Sequence, residues 1–465
     1  MKPVRAPVAL ANSQGRSIPV NPSRLVNLYA QPNPRGSRTA ATLYGTPGLK
    51  AWASGLGAPV RVHRFALGYL YALAGTTLYR VDSAGTATAC TGATLPSSGN
   101  AMMSDNGTQL CVLVDGSGFI VTGTTITQIT SPDFNAASSV DYVDGYFIFT
   151  RLNTAQFFIS DLYDGLVYDA SEFATAESSP DNLVRVLVDH REVWLFKEGA
   201  NPTIEVWINS GAAAFPFERI AGAILERGTA SGLSCAKADN GVFWLGDDRI
   251  VYRAAGYQPA RISTHVEEEI LRTATVSDAI GWTYSQGGHT FYVLELPTTG
   301  RTLVYDAATN AWHERSSGAA GGAWRARGAV KAFGKVLVGD TQGGNVPELD
   351  LDTYSELGST LISTAQAFVG GDNRRKFMAS CELEFEPGVG ISTGQGSAPT
   401  VMLRISDDGG RTWGNEKTGS AGAMGAYRVR AQWNRLGSFR QRAMAWTISD
   451  PVKRAIYGIA YEVAA

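Results

Sequence analysis

Residues 144–150 read DGYFIFT, and this short stretch decides the fold. An Asp-Gly pair is among the strongest local signals for a tight β-hairpin turn, because both residue types accept a positive φ. The aromatic and β-branched run after the turn is typical of a strand, and a second such run follows at residues 156–160. The stretch therefore predicts a unit of strand, turn and strand.

The same layout recurs through the middle of the chain. Its units start near residues 68, 107, 145, 191, 241, 288 and 334, so the starts lie 38 to 50 residues apart. One four-stranded blade of a β-propeller takes roughly 40–50 residues. The spacing predicts six or seven blades, because the repeat is one of layout and not of residue identity. A β-solenoid and stacked β-sandwiches are the alternative interpretations.

The pattern changes near residue 358. Beyond it, apolar and polar residues alternate over short runs such as 427–434, which is typical of half-buried antiparallel strands. We therefore predict an all-β chain in three parts. These are an N-terminal segment at 1–60 that leads into and closes the propeller, the β-propeller at 61–358, and an additional C-terminal β-sandwich-like domain at 359–465.

One helix is expected within the propeller region. Thr264 and Glu267 fit a capping box, and Val266, Ile270 and Leu271 give the segment an apolar stripe. The helix would be an insertion between two blades.

Composition agrees with many strands joined by tight turns. Gly makes up 52 of 465 residues, and charged residues make up 18%, against a usual level of about 25%. The net charge of −2 gives no whole-chain attraction to nucleic acid or to an anionic membrane. No apolar run approaches the roughly 18 residues of a membrane helix, and none follows Lys2 and Arg5 as in a signal peptide. We therefore expect no membrane insertion by this chain.

Cysteine and histidine usage predicts neither a disulfide framework nor a metal centre. The cysteines Cys90, Cys111, Cys235 and Cys381 are scattered without a CxxC pair, which is typical of buried thiols in a reducing cytosol. The five histidines stand singly, without the spacing of metal ligands. We expect no cofactor and no metal.

The sharpest local motif is the stretch SDDGGRTW at residues 406–413. It resembles the Asp box, S-x-D-x-G-x-T-W, of sialidases and related propellers. The matching residues are Ser406, Asp408, Gly410, Thr412 and Trp413. The motif predicts a turn in which Asp408 accepts hydrogen bonds from backbone amides, Gly410 takes a positive φ, and Trp413 packs beneath the hairpin. In the sialidases the box lies away from the active site, so it indicates structure and not catalysis.

Patterns for other enzyme classes are incomplete. Residues 414–418 have the Lys-Thr of a P-loop, but Glu416 stands where Gly is required. Residues 232–236 are one residue short of a nucleophile elbow. No catalytic residue is predicted, and we do not expect the chain to be an enzyme.

Four arginines near the C-terminus form a candidate interface. From residue 372 onward there are 13 Lys and Arg against 9 Asp and Glu, a net charge of +4, which leaves −6 on the rest of the chain. This mild separation suits docking between proteins at least as well as contact with phosphate. The candidates are Arg428, Arg430, Arg440 and Arg442. A plain solvated face, or pairing with a Glu face across strands, is the alternative.

Three groups of residues spread along the chain carry a further resemblance. The first is RLVNLY at 24–29, which includes Asn27 and Tyr29, followed by TPGL at 46–49, which includes Pro47 and Gly48. The second runs from GHTFYVL to WHER and spans residues 288–315. The third runs from WNRLGSFR to SDPV and spans residues 433–452. Taken alone, each is structural: a turn, a hairpin or a pair of amphipathic strands. As an ordered set they resemble the tail nozzle family of short-tailed bacteriophages, also called the tail hub or packaged-DNA stabilisation, head-completion family.

The resemblance implies a structural virion protein of the tail, made in the bacterial host cytoplasm. Several copies, expected to be six, would form a homo-oligomeric ring below the portal and the tail adaptor protein. The ring would extend the DNA channel, retain packaged DNA, and dock tail spikes or fibres and a needle or plug protein. Its low net charge would let duplex DNA pass without sequence-specific contacts.

Two other functions fit the predicted fold. The Asp box and the many aromatic residues favour a carbohydrate-binding or glycan-hydrolysing propeller, which would need a cluster of Arg, Tyr and carboxylate groups at its centre. A receptor-binding tail adhesin would share the folds but sit at the tail tip in trimers. The centre of the propeller is therefore the place that separates an enzyme from a scaffold.

Overall fold

The first strands of the chain form no sheet by themselves. In the computed structural model, which describes residues 3–6, 8–318, 322–369 and 374–464, five strands precede the first repeat. They are β1 (Pro3–Ala6), β2 (Leu25–Val26), β3 (Leu28–Pro32), β4 (Ala41–Gly45) and β5 (Gly48–Ala53), with a 3₁₀ turn at Ile18–Val20. Each of these strands joins a sheet that also holds strands from much later in the chain.

The repeats fold as consecutive antiparallel units of four strands, here called blades one to seven. Blade one holds β6 (Val60–Ala66), β7 (Tyr69–Ala74), β8 (Thr77–Val81) and β9 (Ala87–Ala89). After the short strand β10 (Thr91–Gly92), blade two holds β11 (Ala101–Asp105), β12 (Leu110–Val114), β13 (Ser117–Thr122) and β14 (Thr125–Gln128). Blade three holds β15 (Ala137–Val143), β16 (Tyr146–Arg151), β17 (Gln156–Ile159) and β18 (Phe173–Thr175).

The next three blades follow the same plan. Blade four holds β19 (Asn182–Asp189), β20 (Glu192–Glu198), β21 (Ile204–Asn209) and β22 (Phe217–Leu225). A 3₁₀ turn at Gly232–Ser234 leads to blade five, which holds β23 (Ala236–Ala238), β24 (Gly241–Leu245), β25 (Val251–Ala255) and β26 (Gln258–Arg261). Blade six holds β27 (Ile280–Gln286), β28 (His289–Leu296), β29 (Arg301–Asp306) and β30 (Ala311–Arg315).

The helix α1 (His265–Thr273) lies between blades five and six, as predicted. Its capping box is confirmed, because the Thr264 hydroxyl accepts a hydrogen bond from the Val266 amide and the Glu267 carboxylate accepts one from the Thr264 amide. These bonds satisfy backbone groups that the first turn of a helix leaves without partners.

The N-terminal strand β5 completes the last blade. Blade seven holds β31 (Ala326–Ala332), β32 (Lys335–Asp340) and β33 (Val346–Asp350), and its fourth strand is β5, which pairs with β33 so that Leu49 lies opposite Leu349. The short strands β34 (Ser355–Glu356) and β35 (Ser359–Thr360) extend the sheet beyond β5. The last blade therefore depends on a strand that precedes the first blade.

Seven hydrophobic clusters fix the number of blades within the described ranges. Each cluster lies between two neighbouring blades, and the one between blades seven and one contains Val60, Leu70 and Leu337. Middle strands are buried on both faces, so all five residues of β12 are buried and the strand is a continuous apolar run. The structure confirms the predicted all-β propeller and gives the higher of the two predicted blade numbers.

Two sheets form a β-sandwich beside blade six. Its C-terminal strands are β36 (Ser363–Val369), β37 (Lys376–Phe385), β38 (Thr400–Ser406), β39 (Lys417–Ser420), β40 (Ala431–Asn434), β41 (Ser438–Phe439), β42 (Arg442–Ile448) and β43 (Ala455–Ala464). One sheet has the order β36-β42-β38-β39 and is joined through β2 to β30, so it continues blade six as a sheet of nine strands. The other has the order β3-β4-β43-β37-β40, with β1 beside β43 and β41 beside β37.

The predicted strand at residues 427–434 is wrong in its first half. Only Ala431–Asn434 forms a strand, β40, which pairs with β37 from the Ala431–Leu383 position onward. Gly422 and Gly425 adopt positive φ angles and turn the chain before this strand begins. Tyr427 is 74% exposed, although the alternation predicts a buried side chain there.

Candidate functional site

The first strands of the blades surround a central channel. The cavity measures about 550 Å³ and is lined by all seven blades. Its charged lining residues are Arg61, Arg64, Asp141, Arg185, Lys237 and Arg327. The described lining thus contains five cationic side chains and one carboxylate. The contacts of these groups indicate whether the centre is built for catalysis or for holding the blades together.

Two of the channel arginines are paired with carboxylates on a neighbouring blade. Arg64 Nε donates to Asp105 Oδ2 at 2.6 Å, which joins blade one to blade two. Arg327 Nε donates to Glu295 Oε2 at 2.9 Å, which joins blade seven to blade six. Burial raises the pKa of Glu295, and the hydrogen bonds from Arg327 and the Trp282 indole oppose that effect. These two arginines therefore hold blades together.

The other channel cations donate to neutral groups. Arg61 donates to four carbonyl oxygens, those of Gly75, Pro96, Ser98 and Gly99. Burial lowers the pKa of Arg61. Arg185 donates to the Met102 sulfur at 2.6 Å, and Lys237 donates to the Val188 carbonyl. These contacts also cross between blades or their connections.

The one carboxylate of the described lining, Asp141, is engaged by its neighbours. Its Oδ2 accepts a hydrogen bond from the Val188 amide at 2.8 Å, and its Oδ1 accepts one from the Ser104 hydroxyl at 3.1 Å. The described lining contains no tyrosine. The Arg, Tyr and carboxylate cluster that a glycan-hydrolysing centre would need is therefore not assembled among these residues.

Asn27 joins blade six to the sandwich. It lies between β2 and β3 with a φ of 54° and is 1% exposed. Its Nδ2 donates to the carbonyls of Ser316 (2.9 Å) and Ile362 (2.7 Å), and its Oδ1 accepts a hydrogen bond from the Ser316 amide at 3.1 Å. Asn suits this position because it tolerates the left-handed region and carries both a donor and an acceptor.

Tyr29 packs onto a buried histidine–aspartate pair in blade six. Its ring meets His289 edge-on, with the ring centroids 5.1 Å apart. His289 Nδ1 lies 2.7 Å from Asp306 Oδ2, and both residues are buried. Asp306 also accepts hydrogen bonds from the turn that follows β29, through the Thr309 hydroxyl and the Ala308 amide. The pair is therefore part of the scaffold of this blade.

Pro47 and Gly48 bring β5 into contact with two parts of the propeller region. The Pro47 carbonyl accepts a hydrogen bond from Arg315 Nη2 at 2.9 Å. A Cβ on Gly48 would lie 2.2 Å from the Thr353 carbonyl oxygen and 2.5 Å from that of Ser355. Only glycine therefore allows β5 to approach this backbone.

Asp408 holds the hairpin between β38 and β39. It accepts hydrogen bonds from the Ser406 hydroxyl at 2.7 Å, the Thr412 hydroxyl at 2.6 Å, and the Arg411 and Thr412 amides at 2.9 Å. These bonds, led by that of the Thr412 hydroxyl, hold the pKa of Asp408 well below its ordinary value. The carboxylate thus fastens a turn.

The tip of this hairpin rests on the N-terminal segment. Gly410 has a φ of 95°, and a Cβ on it would lie 2.8 Å from Pro22. A Cβ on Gly409 would lie 2.7 Å from Pro19. Trp413 is only partly buried. The motif residues therefore dock residues 18–22 onto the sandwich.

The four arginines of the candidate interface have different surroundings. Arg428 and Arg440 are exposed, and Arg430 is exposed but donates to Glu382 through both Nε and Nη2. Arg442 is 1% exposed and donates to Asp407 at 2.7 and 2.8 Å. Arg442 therefore lies inside the sandwich and does not share an exposed face with the other three.

Sequence analysis did not single out Glu314, which fastens the N-terminal segment to blade six. Its carboxylate accepts hydrogen bonds from Arg24 at 2.7 and 2.8 Å and from Arg301 at 2.7 Å. Burial opposes its ionisation, but the two arginines outweigh burial and lower the pKa of Glu314. Arg24 and Glu314 both belong to the stretches that carry the family resemblance. Their presence in two such stretches was the signal that could have predicted this contact.

The same architecture is found in family models that match both parts of the chain. Residues 21–354 match the β-propeller model of bacteriophage P22 Gp10, and residues 362–464 match the β-sandwich model of the same protein. The chain belongs to the P22 Gp10 family. This is the tail nozzle family, so the resemblance seen in the sequence is confirmed. Membership makes the chain a structural protein of the phage tail nozzle and a component of the virion tail.

Other comparisons add little to the family match. No curated protein matches the chain. Similar solved structures include the computationally designed Ika8 protein, with 10% identity, a TM-score of 0.42, and coverage of 65% of this chain and 99% of that chain. Virginiamycin B lyase from Staphylococcus aureus matches with 10% identity and a TM-score of 0.43, over 65% of this chain and 98% of that chain. The extracellular domain of a putative one-component system from B. thetaiotaomicron matches with 12% identity and a TM-score of 0.45, over 86% of this chain and 58% of that chain. Likeness at this level carries no information about the role of this chain.

Two features are absent from the described ranges. No helix there is long and apolar enough to cross a membrane. No group of three His, Cys, Asp or Glu side chains is placed to hold a metal ion.

Proposed function

We propose that six copies of this chain form a ring below the portal and the tail adaptor protein of the virion. The observation that carries the proposal is the match of both P22 Gp10 family models, in order, over residues 21–354 and 362–464. A ring subunit must hold its neighbours at a fixed angle. The nine-stranded sheet that includes blade six and half of the sandwich supports this role, because it links the two parts by backbone hydrogen bonds.

The ring extends the DNA channel of the tail and retains packaged DNA. A net charge of −2 supports the role as a channel, because a surface with little excess positive charge releases few counterions on meeting a duplex and so binds it weakly. The protein acts on DNA mechanically and without catalysis. If the purified ring bound duplex DNA tightly with a steep dependence on salt, the idea of a low-friction channel would be wrong.

The outer surface of the ring docks tail spikes or fibres, and its lower rim docks a needle or plug protein. Insertions between blades are the natural sites of such contacts, because loops vary while the blades keep the scaffold. The helix α1, inserted between blades five and six, is one such element.

Quantitative mass spectrometry of purified virions tests the ring. We expect a copy number of half that of the portal protein, which corresponds to a six-fold ring. Absence of the chain from the particles, or a copy number in multiples of three well above this level, would contradict the proposal and favour a tail-tip adhesin.

Particles assembled without this chain test DNA retention separately. We expect them to package DNA and then lose it, as measured by nuclease-sensitive DNA released from filled heads. Supplying the chain in trans should restore retention. Full retention in its absence would remove this role and leave the structural role in the tail intact.

A further inference from the structure

The connection between β17 and β18 in blade three exposes an apolar surface. Five large side chains between residues 161 and 173 are 37% to 64% exposed: Leu162, Tyr163, Leu166, Val167 and Phe173. Single exposed apolar side chains are common on proteins, but a contiguous group indicates a contact surface. We call residues 161–177 the acidic loop, for the reason given below.

The acidic loop is held in one shape. Tyr163 has a φ of 61°, an unfavourable backbone conformation for an aromatic residue, and its amide donates to the Gly145 carbonyl at 2.7 Å. The Gly165 amide donates to Gln109 Oε1 on blade two at 2.9 Å. A Cβ on Gly145 would lie 2.4 Å from the Leu162 side chain, so Leu162 closes tightly over that glycine. An apolar surface that is fixed in advance loses little entropy when it binds.

The charge of this loop is entirely negative. Residues 161–177 contain five acids and no Lys or Arg. The acids are Asp161, Asp164, Asp169, Glu172 and Glu177. A partner for this surface must therefore combine apolar contacts with positive charge.

The far edge of the sandwich has the complementary composition. Residues 424–440, here called the basic edge, contain four arginines and no acid. The arginines are Arg428, Arg430, Arg435 and Arg440, and all four are exposed. Met424 (62% exposed) and Tyr427 (74% exposed) supply apolar surface beside them.

The two surfaces belong to different parts of the fold. The sandwich sheets extend away from blade six and end with β39 and β40, and the basic edge contains β40. The acidic loop belongs to blade three, which is three places from blade six in a circle of seven. Two different, complementary surfaces on one chain allow head-to-tail contacts, which close into a ring when the rotation between copies permits.

We propose that the acidic loop of one copy docks onto the basic edge of the next copy. The proposal rests on the proposed ring for its setting and names the two faces that build it. Apolar side chains of the loop pack with Met424 and Tyr427, while Arg428 and Arg435 face the acids around them, since Arg430 is paired with Glu382 within its own copy. Electrostatic complementarity of this kind fixes register and direction.

Two charge-reversed variants test the contact in purified protein. The loop variant is Asp169→Lys with Glu177→Lys, and the edge variant is Arg428→Glu with Arg435→Glu. The loop variant changes the net charge of the acidic loop from −5 to −1, and the edge variant changes that of the basic edge from +4 to 0. We therefore expect the self-association of each variant alone, measured by sedimentation velocity, to weaken at least tenfold. An equimolar mixture should form mixed pairs as strongly as the wild type associates, because the unchanged loop of the edge variant then meets the unchanged edge of the loop variant.

The matched control is Glu218→Lys with Glu226→Lys, which changes the net charge as much as the loop variant does but at exposed positions on or after β22. It should associate like the wild type, and thermal unfolding should show that all variants are folded. A second loop variant, Leu162→Ser with Tyr163→Asn, removes apolar surface without changing charge, and Asn tolerates the φ of residue 163. It should also weaken association.

Three results would overturn the inference. The first is a wild-type chain that stays monomeric at about 100 μM, a concentration at which even weak specific contacts are populated. The second is undiminished association of both the loop variant and the edge variant. The third is a mixture of these two variants that associates no better than either variant alone. If such a result were found while virions still held six copies, the named faces would be wrong and the ring would stand.

Discussion

Asn27 shows how much of this scaffold depends on one side chain. Replacing it with Ala removes hydrogen bonds to Ser316 and Ile362 and leaves buried backbone groups without partners. We expect the free energy of unfolding, measured by chemical denaturation, to fall by about 3 kcal/mol. Asn27→Gly loses the same bonds but keeps the positive φ at low cost, so it should be about 1 kcal/mol more stable than Asn27→Ala. Equal stability of the two variants would contradict this reading of the backbone.

His313 gives the stability of the protein a dependence on pH. Burial, followed by the nearby charge of Arg315, lowers its pKa to about 3, against an ordinary value of about 6.5. Because the pKa of His313 is lower in the folded protein than in the unfolded chain, its contribution to the free energy of unfolding is fully present above pH 6.5 and is lost as the pH falls toward 3. The unfolded chain binds the proton first and so gains stability in acid.

The variant His313→Phe isolates this effect. Between pH 7 and pH 5 the wild type should lose roughly 2 kcal/mol more of its unfolding free energy than the variant does, since the unfolded imidazole titrates in that window and phenylalanine does not. Chemical denaturation at the two pH values measures the difference. Parallel losses would show that His313 is protonated in the folded protein.

At the scale of elements, Gly48 controls whether β5 can complete blade seven. In Gly48→Ala the new methyl group meets backbone carbonyls of residues 353 and 355, which cannot rotate away, and we expect a loss of about 1–3 kcal/mol. Amides of β33 should exchange with deuterium faster, because β33 pairs with β5. The control is Gly55→Ala, where φ is 82° and no atom lies within 4 Å of the new Cβ. It should strain the backbone without speeding exchange in β33.

The blades could be predicted from the sequence because each is local. In residues 144–150 the turn signal and its strands lie within one unit, so their pairing needs nothing from elsewhere. The sandwich is different, because β43 pairs with β1 and β4 from the other end of the chain. An alternating pattern cannot reveal such partners. At residues 427–430 it predicted a strand that does not form.

The same limit applied to the candidate site. The Asp box was readable because Ser406, Asp408 and Thr412 bond within one turn. The burial and the ion pair of Arg442 could not be predicted from the sequence. Its partner Asp407 is 35 residues away in the sequence, and its burial depends on the packing of two sheets. The exposure of the acidic loop likewise follows from tertiary structure, although its run of acids was visible from the start.

At the scale of the whole molecule, the two ends of the chain fold together. Val8, Leu25 and Leu43 are buried in the same core as Trp433 and Trp446. We expect a fragment of residues 355–465 to stay unfolded, because it lacks the strands that cover this core. A fusion of residues 1–46 to that fragment should fold. Near-ultraviolet circular dichroism and cooperative thermal unfolding distinguish the two, and cooperative folding of the shorter fragment would contradict the expectation.

The joint between propeller and sandwich also determines how the molecule bears force. If pressurised DNA pushes on a ring of these subunits, part of the load applied to the sandwich reaches the propeller through β2, which is only two residues long and meets β30 at the single Val26–Glu314 position. The salt bridge from Arg24 to Glu314 and the bonds of Asn27 reinforce the same cross-section. We expect this narrow joint to be mechanically weaker than the blades. In single-molecule pulling experiments it should therefore break before any blade unfolds.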